Sequence, residues 1–143
     1  MKNKGFSLVE LIIVIAIMAI LAAAIAPALI RYIDKSRKSD DIAAAETINT
    51  AVSAALANED AYSEVSTNMT GSVFCSANPD TAFAGGGSTF VSEVNSSVGG
   101  AAPKVKYTKD SNTQWKIAIS TNGKPIVFKG NVELQPEIDK SYK

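Results

Sequence analysis

The sequence predicts an α+β protein in which one long N-terminal helix packs, through its second half, on a C-terminal antiparallel sheet of three or four strands. Three patterns in the 143 residues support this prediction. Residues 11–30 contain no charged side chain, helical spacing of apolar residues continues to about residue 58, and apolar and polar residues alternate from Lys104 onward. The first two patterns are typical of a helix, and the third is typical of half-buried strands.

The composition argues against several classes of protein. The 14 Lys and Arg residues balance the 14 Asp and Glu residues, and the chain contains no histidine. Binding to nucleic acid usually requires a basic surplus, and histidine is the commonest general base and metal ligand at neutral pH. We therefore expect no nucleic-acid contact, no metal, no cofactor and no enzymatic activity.

The uncharged run at residues 11–30 predicts a helix that crosses a membrane. About 20 helical residues cover roughly 30 Å, the thickness of the hydrocarbon core of a bilayer. Lys2 and Lys4 precede the run and favour a cytoplasmic N-terminus, whereas four basic residues between positions 31 and 38 favour the opposite orientation. Charge counting alone therefore leaves the orientation open.

Glu10 places a carboxylate at the start of this apolar run. An ionised carboxylate inside a membrane helix costs about 2.5–3.5 kcal/mol on insertion scales, so the residue needs a cationic partner. A cut after Gly5 would give Phe6 a new α-amine four residues from Glu10, which is one helical turn. A secretory signal peptide is the simpler alternative, but neither Glu10 nor Pro27, which would hinder a cleavage site at Ala24–Ala26, fits it.

The segment KGFSLVE at residues 4–10, followed by the apolar helix, closely resembles the class III signal of type IV pilins and pseudopilins. The resemblance implies that a prepilin peptidase cuts between Gly5 and Phe6 on the cytoplasmic face and N-methylates Phe6. It also implies that Glu10 meets the α-amine of a neighbouring subunit during assembly. The N-terminus is then expected in the cytoplasm.

The same resemblance implies a division of the chain and a life cycle. The expected segments are a leader at 1–5, a membrane and filament-core helix at 6–30, an amphipathic half-helix at 31–58, a variable αβ-loop region at 59–103, and the sheet with its tail at 104–143. The expected partners are further copies of the chain in a helical polymer, the peptidase and methyltransferase, and an assembly platform with its ATPase. A single-pass protein of the cytoplasmic membrane would thus become a subunit of a surface pilus.

The expected role is that of a structural subunit, first of all a major pilin, in a fibre for adhesion, motility or aggregation. A pseudopilin of a type II secretion or DNA-uptake machine is a close alternative, and a membrane-anchored surface domain that never polymerises is an alternative of a different class. Pro27 lacks an amide hydrogen and is expected to bend the helix.

Weaker patterns give the expectations for the rest of the chain. Residues 59–103 are rich in Ser, Asn and Gly and predict loops with one short helix at Ser88–Val98, capped by Ser88. The glycines at 85–87 predict a flexible loop. Alternation predicts strands around Val105, Trp115, Ile126 and Val132, with Trp115 in the core.

For two further residues and one segment, the sequence predicts no special role. The single cysteine, Cys75, is expected to be half-buried and has no partner for a disulfide within the chain. Asp41 is expected to be an ordinary charged residue on the helix surface. The tail from Pro136 to Lys143 shows no clear element. Without a disulfide, sheet hydrogen bonds and packing alone are expected to hold the C-terminal region.

Overall fold

A computed structural model describes residues 5–143. Lys2, Lys4 and the rest of the predicted leader before Gly5 lie outside the described residues. The described chain divides into two compact units, one ending at Ser36 and the other comprising Arg37–Lys143.

The first unit is formed by the beginning of helix α1, which comprises Leu8–Ala55. In the isolated chain every residue from 5 to 32 is exposed, and the helix is long and apolar enough to cross a membrane. The predicted long helix is confirmed, although both of its ends lie inside the predicted limits of residues 6 and 58. Helix α1 passes through Pro27 without interruption, and the predicted bend there stays a prediction.

The second unit combines the end of α1 with a four-stranded antiparallel sheet. The strands are β1 (Val73–Ala77), β2 (Trp115–Ile119), β3 (Pro125–Lys129) and β4 (Val132–Gln135), and they lie in the order β1-β2-β3-β4. Buried side chains from α1 and from the sheet share one hydrophobic core. This architecture confirms the predicted α+β class and the packing of the second half of the helix on the sheet.

Trp115 lies in that core as predicted, and its indole Nε1 donates a hydrogen bond to the carbonyl oxygen of Pro103 at 2.7 Å. Cys75 on β1 is only 3% exposed and is therefore more deeply buried than predicted. Burial raises the pKa of its thiol to about 12. The thiol is consequently protonated at neutral pH.

One predicted strand is wrong, because Val105 and Tyr107 belong to no strand. The backbone amides of Lys106 and Tyr107 donate to the carboxylate of Asp41, not to a neighbouring strand. Both Val105 and Tyr107 are still packed against the core. The alternation of apolar and polar residues therefore predicted correctly that these side chains pack against the core, but it did not predict the hydrogen-bond partners of the backbone.

Strand β1 comes from a region, residues 59–103, that was expected to form loops. Residues 59–103 contain helix α2 (Glu59–Ser66), strand β1 and helix α3 (Ser88–Ser97). The Asn58 side chain accepts hydrogen bonds from the amides of Asp60 and Ala61, which makes Asn58 the N-cap of α2. The predicted helix at residues 88–98 is confirmed as α3, whereas α2 and β1 were not predicted.

The cap of α3 differs from the prediction. Gly87 occupies the N-cap position and has no side chain to accept a hydrogen bond, so the prediction that Ser88 caps the helix was wrong. The carboxylate of Glu64, on α2, accepts hydrogen bonds from the amide of Thr89 at 3.2 Å and from the amide of Phe90 at 3.0 Å. One side chain of α2 therefore satisfies the first amides of α3.

The glycines at 85–87 lie close to neighbouring atoms, and the flexibility of this loop stays a prediction. A Cβ atom placed on Gly87 would overlap the Glu64 side chain, and one placed on Gly86 would overlap the Phe74 ring. Gly86 also has a φ of +68°, a conformation that disfavours side chains. These glycines let α2 and β1 approach the start of α3.

The largest difference from the sequence analysis concerns Asp41 on α1, whose side chain is 0% exposed. Its Oδ1 accepts the Lys106 amide at 2.6 Å, and its Oδ2 accepts the Tyr107 amide at 3.1 Å and the Tyr142 hydroxyl. The Nζ atom of Lys129 lies 3.7 Å from Oδ2. Asp41 is thus a fully buried carboxylate with four partners.

Lys129, whose side chain is also 0% exposed, connects Asp41 to further groups. Its Nζ donates to the Tyr107 carbonyl oxygen at 2.6 Å and lies 2.8 Å from Oδ2 of Asp110. We call Asp41, Tyr107, Asp110, Lys129 and Tyr142 the buried charge cluster. It joins α1, strand β3 and the C-terminal end of the chain.

The tail also has an element that the sequence did not predict, a short 3-10 helix at Lys140–Tyr142 that begins after Asp139. Tyr142 is only 2% exposed. The expectation that sheet hydrogen bonds and packing alone hold the C-terminal region was therefore incomplete, because the buried charge cluster holds it too.

The cap of α3 predicts a pH-dependent effect of Glu64→Gln. The amide of Phe90 above all, and that of Thr89, hold the pKa of Glu64 below its ordinary value of 4.5. A depressed pKa contributes stability above the unfolded value, and this contribution is lost as the pH falls through the folded value. We expect Glu64→Gln to lower the melting temperature at pH 7 and to have little effect at pH 3. Glu46→Gln, on an exposed part of α1, is the matched control and should have no effect at either pH.

The buried charge cluster predicts that Asp41→Ala destabilises the second unit by about 3–5 kcal/mol, because the change leaves a buried lysine without one partner and the amides of Lys106 and Tyr107 without an acceptor. The measurement is chemical denaturation of the full chain in detergent micelles. The neighbouring exposed residue provides the control, Asp40→Ala, which should change the free energy of unfolding by less than about 0.5 kcal/mol. Equal effects of the two changes would contradict this account of Asp41.

Candidate functional site

The candidate site lies at the start of α1, where the predicted cleavage, methylation and assembly residues follow one another. Gly5, Phe6 and Ser7 precede the helix, are not helical and are exposed, with Phe6 88% exposed. The bond between Gly5 and Phe6 therefore lies outside the helix. A bond in this position has no helical hydrogen bonds to be broken before an enzyme can reach it.

The start of the helix is fixed by a contact between Ser7 and Glu10. The backbone amide of Ser7 donates a hydrogen bond to Oε2 of Glu10 at 2.8 Å. Ser at the N-cap with Glu three residues later is the spacing of a capping box, in which the glutamate reaches back to the amide of the cap residue. The carboxylate also lies in the first turn, where the helix dipole favours negative charge.

This contact was missed in the sequence analysis, although its signal is present in the letters SLVE at residues 7–10. The cost of a carboxylate beside an apolar run predicts a cationic partner, whereas the spacing of Ser7 and Glu10 predicts a contact with the local backbone. The two roles are compatible. A single amide satisfies part of one carboxylate oxygen, and the other hydrogen-bonding positions of Glu10 stay available.

The surroundings of Glu10 are apolar and uncovered. Within residues 5–143, the Glu10 carboxylate forms no ion pair and no hydrogen bond besides that with the Ser7 amide. Large apolar side chains that are more than half exposed lie on both sides of it, among them Leu8, Val9, Leu11, Ile15 and Ile20. Such a surface is stable only in lipid or against other apolar surfaces.

Gly5 is not required by the conformation of the chain. No atom lies within 4 Å of a Cβ atom placed on Gly5, and its φ is outside the left-handed region. A requirement for glycine at this position must therefore come from a molecule that binds the segment. Glycine allows such a molecule to approach the backbone closely.

No second site of comparable character is found in the described part of the chain. Among residues 5–143, no group of three His, Cys, Asp or Glu side chains could hold a metal ion. An open surface depression of about 520 Å³ beside β1 is lined by Glu64, Phe74, Gly86 and Gly87 among others. Its carboxylate, Glu64, is already engaged as the cap of α3.

A comparison with known families finds a match at the N-terminus of the chain. The family model of the prokaryotic N-terminal methylation motif matches residues 1–26. No solved structure matches the chain. The motif implies processing by a prepilin peptidase and membrane assembly into a polymer, and, with the apolar helix, it fits anchoring in a membrane before assembly.

The matched motif contains Gly5, Phe6 and Glu10, and it ends before Pro27. The individual roles predicted for these four residues stay predictions. The motif at the N-terminus, the long apolar helix and the small antiparallel sheet together support a type IV pilin-like protein.

Proposed function

We propose that the chain is a structural subunit, the major pilin, of a type IV pilus, and that it has no catalytic role. The prepilin peptidase cuts between Gly5 and Phe6 in the cytoplasm and methylates Phe6. An assembly platform with its ATPase then extracts the subunit from the cytoplasmic membrane into a surface fibre of identical copies. The observation that carries this proposal is the Glu10 carboxylate, which has no cationic partner among residues 5–143 and lies on an apolar, exposed helix start.

The physical argument concerns the environment of the first unit before and after assembly. Lipid covers the apolar surface of α1 in the membrane, and the corresponding surfaces of other copies cover it in the fibre. Inside a bundle of apolar helices a carboxylate is costly unless a cation pairs with it, and the two together attract strongly in such a medium. The α-amine that cleavage creates on Phe6 is a cation available once in every copy.

The capping box provides a partner for Glu10 before assembly, and the amine of a neighbour is added in the fibre. Before assembly the Ser7 amide holds Glu10 in a defined rotamer at the start of the helix. In the fibre the same carboxylate accepts the amine of a neighbour on its remaining lone pairs. The charge pair sets the register between copies, and the apolar packing supplies most of the affinity.

A pseudopilin would use the same N-terminal chemistry in a short fibre. The middle of the chain supports the longer fibre, since most residues of 66–72 and of 78–86 place polar and small side chains at the surface. Such a surface suits a fibre that is exposed to solvent along its whole length. Electron microscopy of sheared surface material separates the two, because only a pilin is expected in long fibres.

The first prediction from this proposal is that Gly5→Val blocks removal of the leader, because a branched side chain hinders the close approach of the peptidase to the backbone. The fold should be unchanged, since the space around Gly5 is open. The intact mass and the N-terminal sequence of the membrane-extracted protein measure the result. Ser7→Ala is the control and should be cleaved. A mature chain that begins elsewhere than at Phe6 would refute the assigned bond.

The second prediction separates the charge of Glu10 from its capping contact. Glu10→Gln retains a side chain that suits the capping box, whereas Glu10→Ala removes both the contact and the charge. We expect both variants to be processed normally and both to reduce fibre yield about tenfold or more. Either change leaves the α-amine of the neighbouring copy without its charged partner, and an unpaired charge away from water is costly.

The measurement is the amount of subunit in sheared fibres relative to the amount in membranes, with Glu46→Gln as the control for loss of an exposed carboxylate. Normal fibre yield from Glu10→Gln with reduced yield from Glu10→Ala would assign the effect to the helix cap. Normal yield from both variants would remove Glu10 from the assembly mechanism.

A further inference from the structure

The apolar run of the first unit ends abruptly in a basic residue. Residues 11–30 carry no charge, and Arg31 is the first charged residue after Glu10. Leu29 and Ile30, which precede it, are each more than half exposed in the isolated chain. Because α1 is continuous over this range, Glu10 and Arg31 are separated by about 30 Å along the helix, the thickness of the hydrocarbon core of a bilayer. When the run spans a membrane, the Arg31 guanidinium therefore lies at the depth of the lipid headgroups.

Two basic side chains and one aromatic side chain form this end of the run, and we call Arg31, Tyr32 and Lys35 the basic boundary. All three are exposed, and Tyr32 is 74% exposed. Arg31 and Lys35 are one helical turn apart and therefore lie on the same face of α1. Asp34 lies next to them in the sequence and is half-buried. Positive charge is thus in excess at the boundary.

The guanidinium of Arg31 has no partner within the described part of the chain. Among residues 5–143 it forms no ion pair and no side-chain hydrogen bond. A guanidinium presents a planar fork of donors that fits two oxygens of a phosphate, and it stays charged at every pH at which proteins are folded. At headgroup depth, the complementary group is the phosphate of a phospholipid.

Tyr32 is suited to the same depth. Tyrosine is enriched where hydrocarbon meets water, because its ring is apolar and its hydroxyl reaches polar groups. In the orientation of the proposed function, the basic boundary lies on the non-cytoplasmic side, where basic residues oppose insertion. Attraction to anionic headgroups on that side offsets the unfavourable placement of Arg31 and Lys35.

We propose that the basic boundary is a binding surface for anionic phospholipid headgroups, which holds the subunit at one depth in the membrane before assembly. The inference rests on the membrane stage of the proposed function and does not depend on polymerisation. Arg31 and Lys35 must leave the headgroups when a subunit enters a fibre. The same contact therefore opposes extraction, and it does so more strongly in membranes richer in anionic lipid.

The test uses the full chain in phosphatidylcholine vesicles that contain a trace of spin-labelled lipid. Electron spin resonance measures how strongly the chain associates with labelled phosphatidylglycerol, which is anionic, relative to labelled phosphatidylcholine. We expect the wild-type chain to prefer the anionic lipid by about twofold or more, since each basic residue near the surface adds to the attraction. The preference should decline when the salt concentration is raised to about 1 M, where charges are screened within a few ångströms.

Substitutions at the basic boundary separate its charge from the rest of the chain. The double variant Arg31→Gln, Lys35→Gln should lose about half or more of the preference for the anionic lipid. The double variant Arg31→Lys, Lys35→Arg retains both charges and should keep the preference. The matched control Lys106→Gln, Lys124→Gln removes two exposed basic side chains of the second unit and should also keep it.

The basic residues before Gly5 are present in every variant, so differences between the variants are due to the substituted positions. Equal association of the wild-type chain with both lipids would overturn the proposal. An equal loss of preference in the Arg31→Gln, Lys35→Gln variant and in the matched control would also overturn it. If the Arg31→Gln, Lys35→Gln variant kept its lipid preference but formed fewer fibres, the basic boundary would serve contacts between copies. That result would refute the lipid surface and leave the proposed function in place.

Discussion

The buried carboxylate of Asp41 is the interaction on which the rest of the second unit depends. A charge with no exposure to water must be compensated by its neighbours. The compensation here comes from three parts of the chain: two amides of the segment before β2, Lys129 at the end of β3, and Tyr142 in the tail. These groups are far apart in sequence. One carboxylate on α1 thus determines where a loop, a strand end and the tail must lie.

The parts of the structure that could be predicted from the sequence are those encoded by local patterns. The extent of α1, the helix α3 and the strands β2, β3 and β4 follow from the spacing of apolar residues and from turn residues between them. The N-terminal site follows from a short contiguous motif. The buried role of Asp41 could not be predicted, because the letters around it are those of an exposed helix and its partners lie more than 60 positions away.

Strand β1 and helix α2 were missed for related reasons. Strand β1 is a short edge strand with an irregular register, so its sequence shows little alternation. Helix α2 has a capping signal in Asn58 and acidic residues in its first turn, but both lie in a polar part of the sequence that predicts loops. The contact between Ser7 and Glu10 has a local signal in the spacing of these two residues. It was not predicted, because the charge of Glu10 has a more obvious explanation than its place in the first helical turn.

The burial of Cys75 has a consequence for any assembly in which many copies of the chain lie side by side. A thiol that is covered by the core and protonated at neutral pH reacts slowly with oxidants and with other thiols. Copies exposed to an oxidising exterior would therefore remain covalently independent of one another. The cohesion of such an assembly would rest on reversible contacts, and whole subunits could leave it without a chemical bond being broken.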